Sequence, residues 1–155
     1  MVFAPLPLWA DVLVAPAGQF FSARFPKQPD VKNSEKMGIV QTIYTSPEAS
    51  RLLLLSHSLL PVEEQPLVLM QSVLDGFMER LSAELLSIQK TDFVSATGKK
   101  LPAKRFTFGN PKVWGQGIVI VSGQHSYIVV VAIRKPMEGL DTAGKSFISS
   151  FKILN

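Results

Sequence analysis

The hydrophobic pattern is densest between Val113 and Arg134 (VWGQGIVIVSGQHSYIVVVAIR), where two β-branched runs, Ile118 to Val121 and Ile128 to Ile133, flank the polar break Ser122 to Tyr127. Gly, Gln, His and Ser in that break are turn-forming residues, so the stretch predicts a β-hairpin. A strand with one wet face alternates apolar and polar residues; these runs are apolar at nearly every position and predict a sheet covered on both faces. Neither run approaches the roughly 20 residues of a membrane-spanning helix.

Elsewhere the periodicity changes. From Pro66 to Gln89, Met70, Leu74, Phe77, Leu81, Leu85 and Ile88 recur every three or four positions, which predicts one long amphipathic helix. Pro66 suits its first turn, and Glu63 and Glu64 complement the positive end of its dipole. Apolar segments bounded by turn residues predict strands at Asp11 to Pro16, Phe20 to Phe25, Met37 to Thr45 and Arg51 to Ser56, the last two joined as a hairpin through the Ser46-Pro47 turn. In the third, Ile39, Ile43 and Thr45 fall on one face and Val40, Thr42 and Tyr44 on the other. Pro26 to Lys36 reads as a polar loop. Asp92 to Ala96 and Ala103 to Phe108 read as strands joined at Gly98-Lys99-Lys100, and Gly109-Asn110-Pro111 separates them from the central hairpin. Pro136 closes that hairpin, Glu138 to Ser150 forms a short helix, and Phe151 to Leu154 an edge strand. Strands, long helix, strands, short helix is an α+β order with a largely antiparallel sheet.

Composition refines this picture only in part. A chain of 155 residues, 46% hydrophobic and 18% charged, can bury one substantial core. The absence of cysteine excludes disulfides, thiol catalysis and cysteine-ligated metals. The net charge of +4 is uneven: the first 89 residues are net acidic and the remainder net basic. Residues 1–10 (MVFAPLPLWA) form an apolar segment that reads as a signal-peptide remnant or as a strip lying on the domain, with residues 11–155 as a single domain.

Candidate chemistry is sparse. Gly139 to Ser146 (GLDTAGKS) satisfies the phosphate-loop pattern G-x-x-x-x-G-K-[ST]. Only nine residues follow it, too few for the strand that normally supports a magnesium ion, so nucleotide binding is not expected. His57 and His125 lack both a nucleophile-elbow serine and metal-ligand spacing, and read as hydrogen-bonding residues. No catalytic residue, metal or cofactor is expected. Lys99, Lys100, Lys104, Arg105 and Lys112, interleaved with Phe106, Phe108 and Trp114, form the candidate contact surface. Alternation places Phe106 and Phe108 on an inward face, so the cluster reads as an ordinary solvated face, or as a docking surface for a protein partner or a membrane, ahead of nucleic acid.

Four segments carry a family resemblance: GQFFSARFPKQP (Gly18 to Pro29), GKKLPAKRFTF (Gly98 to Phe108), SYIVVVAI (Ser126 to Ile133) and GKSFISSFKI (Gly144 to Ile153). In order and spacing they resemble the PsbP/Mog-like domains, including DcrB-like proteins. The resemblance implies an α/β/α sandwich around an antiparallel sheet and a largely non-enzymatic role in protein interaction. It also implies export, to a bacterial periplasm or thylakoid lumen, with the cytoplasm as the alternative. The functional expectation is therefore an accessory or docking protein acting through the basic surface. The alternative is a carrier of a small apolar ligand in a cleft between the sheet and the Pro66–Gln89 helix.

Overall fold

The computed structural model describes residues 12–135 and 139–155. Residues 1–10 and the proposed stop at Pro136 therefore lie outside the described residues, as does Glu138, the expected start of the second helix. The chain runs β1 (Val12–Val14), β2 (Phe21–Phe25), β3 (Asp30–Lys36), β4 (Ile39–Pro47), β5 (Arg51–Leu59), α1 (Pro66–Leu81), β6 (Glu84–Val94), β7 (Lys100–Gly109), β8 (Val113–Ser122), β9 (His125–Arg134), α2 (Thr142–Ser150) and β10 (Lys152–Ile153). A seven-stranded antiparallel sheet has the order β3-β4-β5-β9-β8-β7-β6, and a small sheet has the order β1-β2-β10. The fold is mixed α+β.

The two apolar runs are β8 and β9, at the centre of the large sheet. Their turn is tighter than the sequence predicts. Ser122 pairs with His125, leaving only Gly123 and Gln124 in the loop, with Gly123 at φ 59° as a tight hairpin requires. His125 is thus a strand residue.

Both faces of the large sheet are covered, which explains the unbroken apolar character of β8 and β9. One face packs Leu53, Leu55, Ile120, Val129 and Val131 beneath β2 and α2, whose Phe21, Phe25, Phe147 and Phe151 fill the layer. The other packs Val119, Val121, Ile128 and Val130 beneath α1 through Leu69, Met70, Leu74, Phe77 and Met78. The cover over the first face is mixed, three short strands with one helix, rather than helical alone.

The predicted helix stops eight residues early, at Leu81 instead of Gln89. Ser82 adopts the left-handed conformation (φ 49°), and the Ser82 and Ala83 amides donate to the Glu79 and Met78 carbonyls. This is a Schellman stop with serine where glycine is usual. The continuation is β6, and a bulge between Leu85 and Ser87 explains the false periodicity. Leu85 pairs with Phe108 and Ile88 with Phe106, so residues three apart share one face of a strand and mimic helical spacing. The loop expected at Pro26 to Lys36 instead contains β3, an edge strand exposed along its whole length. Its polar composition reflects an edge with both faces wet, which alternation cannot reveal.

On the α1 face of β8, Gly115 and Gly117 make room for neighbouring rings. A Cβ on Gly115 would overlap the Phe108 ring, and one on Gly117 would lie 2.6 Å from the Val129 carbonyl, 2.7 Å from Val130 Cγ2 and 3.0 Å from the Phe106 ring. These rings lie across the glycines, and Phe77 of α1 meets the Phe108 ring edge-on at 5.5 Å. This fixes α1 over β7, β8 and β9 and, among the described residues, leaves most of the same face of β3, β4 and β5 without a covering element.

Candidate binding groove

The uncovered face and the flank of α1 enclose an open groove of about 770 Å³. Its floor follows from strand register. One row across the sheet is Lys32, Ile43, Ser56 and Ile128; the next is Ser34, Gln41, Ser58 and Ser126. The first row alternates Ile43 and Ile128 with polar Lys32 and Ser56, the second carries only hydroxyl and amide groups, and Gln41 Nε2 donates across the two rows to Ser56 Oγ at 3.0 Å. Leu69, Ser72, Val73, Gly76, Phe77 and Arg80 of α1 form the wall. Glu64 stands at the end near the start of α1, with Arg80 near the opposite end. Neither Arg80 nor Lys32 forms an ion pair among the described residues. A second depression of about 380 Å³ adjoins the groove, shares Leu54, Phe77 and Leu81 with it, and is rimmed by Arg51 and Arg134.

Gly76 occupies the middle of α1, where glycine costs about 1 kcal/mol relative to alanine. Packing does not require it, since a Cβ there would meet no atom within 4 Å. Its missing side chain leaves the wall of the groove open. Asn110 holds the far end of α1 in place: its Nδ2 donates to the Leu81 carbonyl at 3.2 Å, while its Oδ1 accepts from the Lys112 and Val113 amides at 2.8 and 2.9 Å.

The basic residues singled out in the sequence are spread along the β6–β7 edge. Lys99 lies in the β6–β7 turn and Lys100 opens β7, whereas Lys112 follows the opposite end of that strand. Lys104 shares the α1 face with buried Phe106 and Phe108, as alternation predicts, and Arg105 points to the other face. Lys104 pairs across the ladder with Lys90, a cation the sequence reading had not grouped with it.

The phosphate-loop pattern does not form a loop. Gly144, Lys145 and Ser146 lie inside α2, and Asp141 caps the helix by accepting from the Gly144 amide at 2.8 Å. The amide that a phosphate would need is thereby occupied by a carboxylate, which also binds Arg51 Nη1 at 2.8 Å.

His57 and His125 come together although 68 residues separate them, because β5 and β9 are neighbours. His57 Nε2 and His125 Nδ1 are 2.8 Å apart, the rings are 9° from parallel and their centroids are 5.1 Å apart. Those values describe two rings joined edge to edge by an in-plane hydrogen bond, not a face-to-face stack. His57 is 5% exposed and lies flat against Tyr127, its cross-strand partner, at 5.0 Å. Burial, with a smaller contribution from His125, lowers the His57 pKa to about 4; burial also lowers that of His125 and pushes Tyr127 up to about 12. The pair is neutral at pH 7, with one shared proton. No group of three or more metal-ligating side chains occurs among the described residues.

No protein-family model matches the sequence, and no curated protein is significantly similar to it. Fold and geometry together define a mixed α+β domain with an amphipathic groove along one edge of its sheet.

Proposed function

We propose that this chain is a non-catalytic binding protein that holds a small amphipathic molecule between α1 and β3–β5. The observation that carries the reading is the open groove with Gly76 in its wall, where a costly glycine preserves space that packing leaves unused. A hydrocarbon chain would lie along Ile43, Val73, Phe77 and Ile128, and hydroxyl or carbonyl groups would meet the Ser58 and Ser126 row. Arg80 and Lys32 favour an anionic head group.

The test is titration with a fluorescent long-chain fatty acid. Saturable binding is expected, and Gly76→Leu should weaken it at least about tenfold while preserving the melting temperature. Equal binding by Gly76→Leu, or no saturation in the wild type, would remove the groove from consideration.

A second reading, docking of a protein partner, draws on the alignment of Lys100, Lys104 and Lys90 on one face of β6–β7, none of them in an ion pair among the described residues. It predicts a salt-sensitive complex weakened by converting Lys99 and Lys100 to Glu. The finer assignment to a PsbP/Mog-like fold, and the exported setting that accompanies it, draw support from the four resembling segments.

A further inference from the structure

The edge strand β6 differs from its counterpart β3. β3 carries charge at four of its seven positions, which blunts an edge against unwanted pairing. β6 is eleven residues long and leaves Leu85, Leu86, Ile88 and Val94 between 39% and 58% exposed.

Its regular part, Ile88-Gln89-Lys90-Thr91-Asp92-Phe93-Val94, is complementary to itself when reversed about Thr91. We propose that a second copy of this chain adds antiparallel to β6 with Thr91 opposite Thr91. Ile88 then faces Val94, Gln89 faces Phe93 and Lys90 faces Asp92, each twice. The apolar pairs flank two opposite-charge pairs on the face that carries Lys104. Direct cross-strand neighbours of both kinds are the stabilising unit of a sheet.

Backbone geometry selects the same register. The Ser95 amide donates to the Lys99 carbonyl at 2.8 Å, so that pair bonds within the β6–β7 ladder. Alternation from there, along a register that is regular from Ile88 to Val94, directs the amides and carbonyls of Thr91 and Phe93 toward β7. Those of Ile88, Lys90, Asp92 and Val94 point outward. With Thr91 at the centre, outward residues meet outward residues throughout. Centring on Lys90 or Asp92 would set like charges opposite one another, and centring on Gln89 or Phe93 would set Asp92 against Leu86 or Val94. The bulge at Leu85 to Ser87 ends the regular edge on one side. The proposed pair leaves both grooves open, at the two outer ends of a continuous sheet.

Sedimentation of the full chain up to millimolar concentration tests this. A dimer is expected, and Lys90→Glu, which sets Glu against Asp92 of the second copy, should raise its dissociation constant at least about tenfold. The exchange Lys90→Asp with Asp92→Lys restores both charge pairs and should stay within about threefold of wild type. Asp92→Pro removes an outward amide without touching the β6–β7 ladder and should give a monomer. A wild-type monomer at millimolar concentration would overturn the proposal. So would a dimer insensitive to Lys90→Glu and Asp92→Pro, or an exchange variant as weak as the single one.

Discussion

His57 shows how strongly one residue can depend on its surroundings. Nothing in Ser56-His57-Ser58 signals burial, yet the ring is enclosed by Phe21, Tyr127 and His125. Its folded pKa, about 4, lies below the unfolded value of 6.5, so below pH 6.5 the unfolded chain binds more protons. The associated stability is complete above pH 6.5 and is lost as pH falls toward 4. The expected outcome is a loss of about 2 kcal/mol between pH 7 and 4.5, or roughly 4–8 °C in melting temperature. His57→Gln should flatten that slope when unfolding is followed by calorimetry at several pH values. Gly115 makes a second residue-scale prediction. Any Cβ there meets the Phe108 ring, so Gly115→Ala should destabilise by about 1–3 kcal/mol in urea unfolding.

At the scale of elements, the end of α1 is the instructive case. The spacing Leu81, Leu85, Ile88 satisfies a helix, and sequence alone cannot distinguish that from a strand with a bulge. Pairing of Glu84 to Val94 with β7 decided the outcome, because a ladder partner outweighs a modest difference in propensity. Ser82 bears the resulting left-handed turn, so Ser82→Gly should stabilise the protein by about 0.5–1 kcal/mol, measurable by chemical denaturation. The N-terminus of α2 depends on Asp141, which caps the helix and binds Arg51 at once. Asp141→Ala should cost about 1–2 kcal/mol, whereas Lys145→Ala, within the same phosphate-loop pattern, should change stability little.

At the scale of the whole molecule, the groove exists because α1 is narrower than the sheet it covers. Seven strands face one helix seated over β7, β8 and β9, and the remainder is roofed by nothing else among the described residues. Ligand occupancy should therefore stabilise the fold by mass action. A fatty-acid probe at a hundredfold excess over its dissociation constant should add about 2.7 kcal/mol, seen as a rise of roughly 5–10 °C by thermal shift.

What the sequence by itself determined was local: the central hairpin, the two-sided burial of its strands, the faces of β4, the start of α1 and the inward set of Phe106 and Phe108. Each is written in neighbouring residues, as an apolar run, a period or a turn residue. Tertiary structure decided what depends on partners distant in the chain. The meeting of His57 with His125 required β5 to lie beside β9. The switch from helix to β6 required β7, and the edge strand β3 required β4. The groove required the relative widths of a helix and a sheet. Such features arise from strand order and layer geometry, which no short window of sequence encodes.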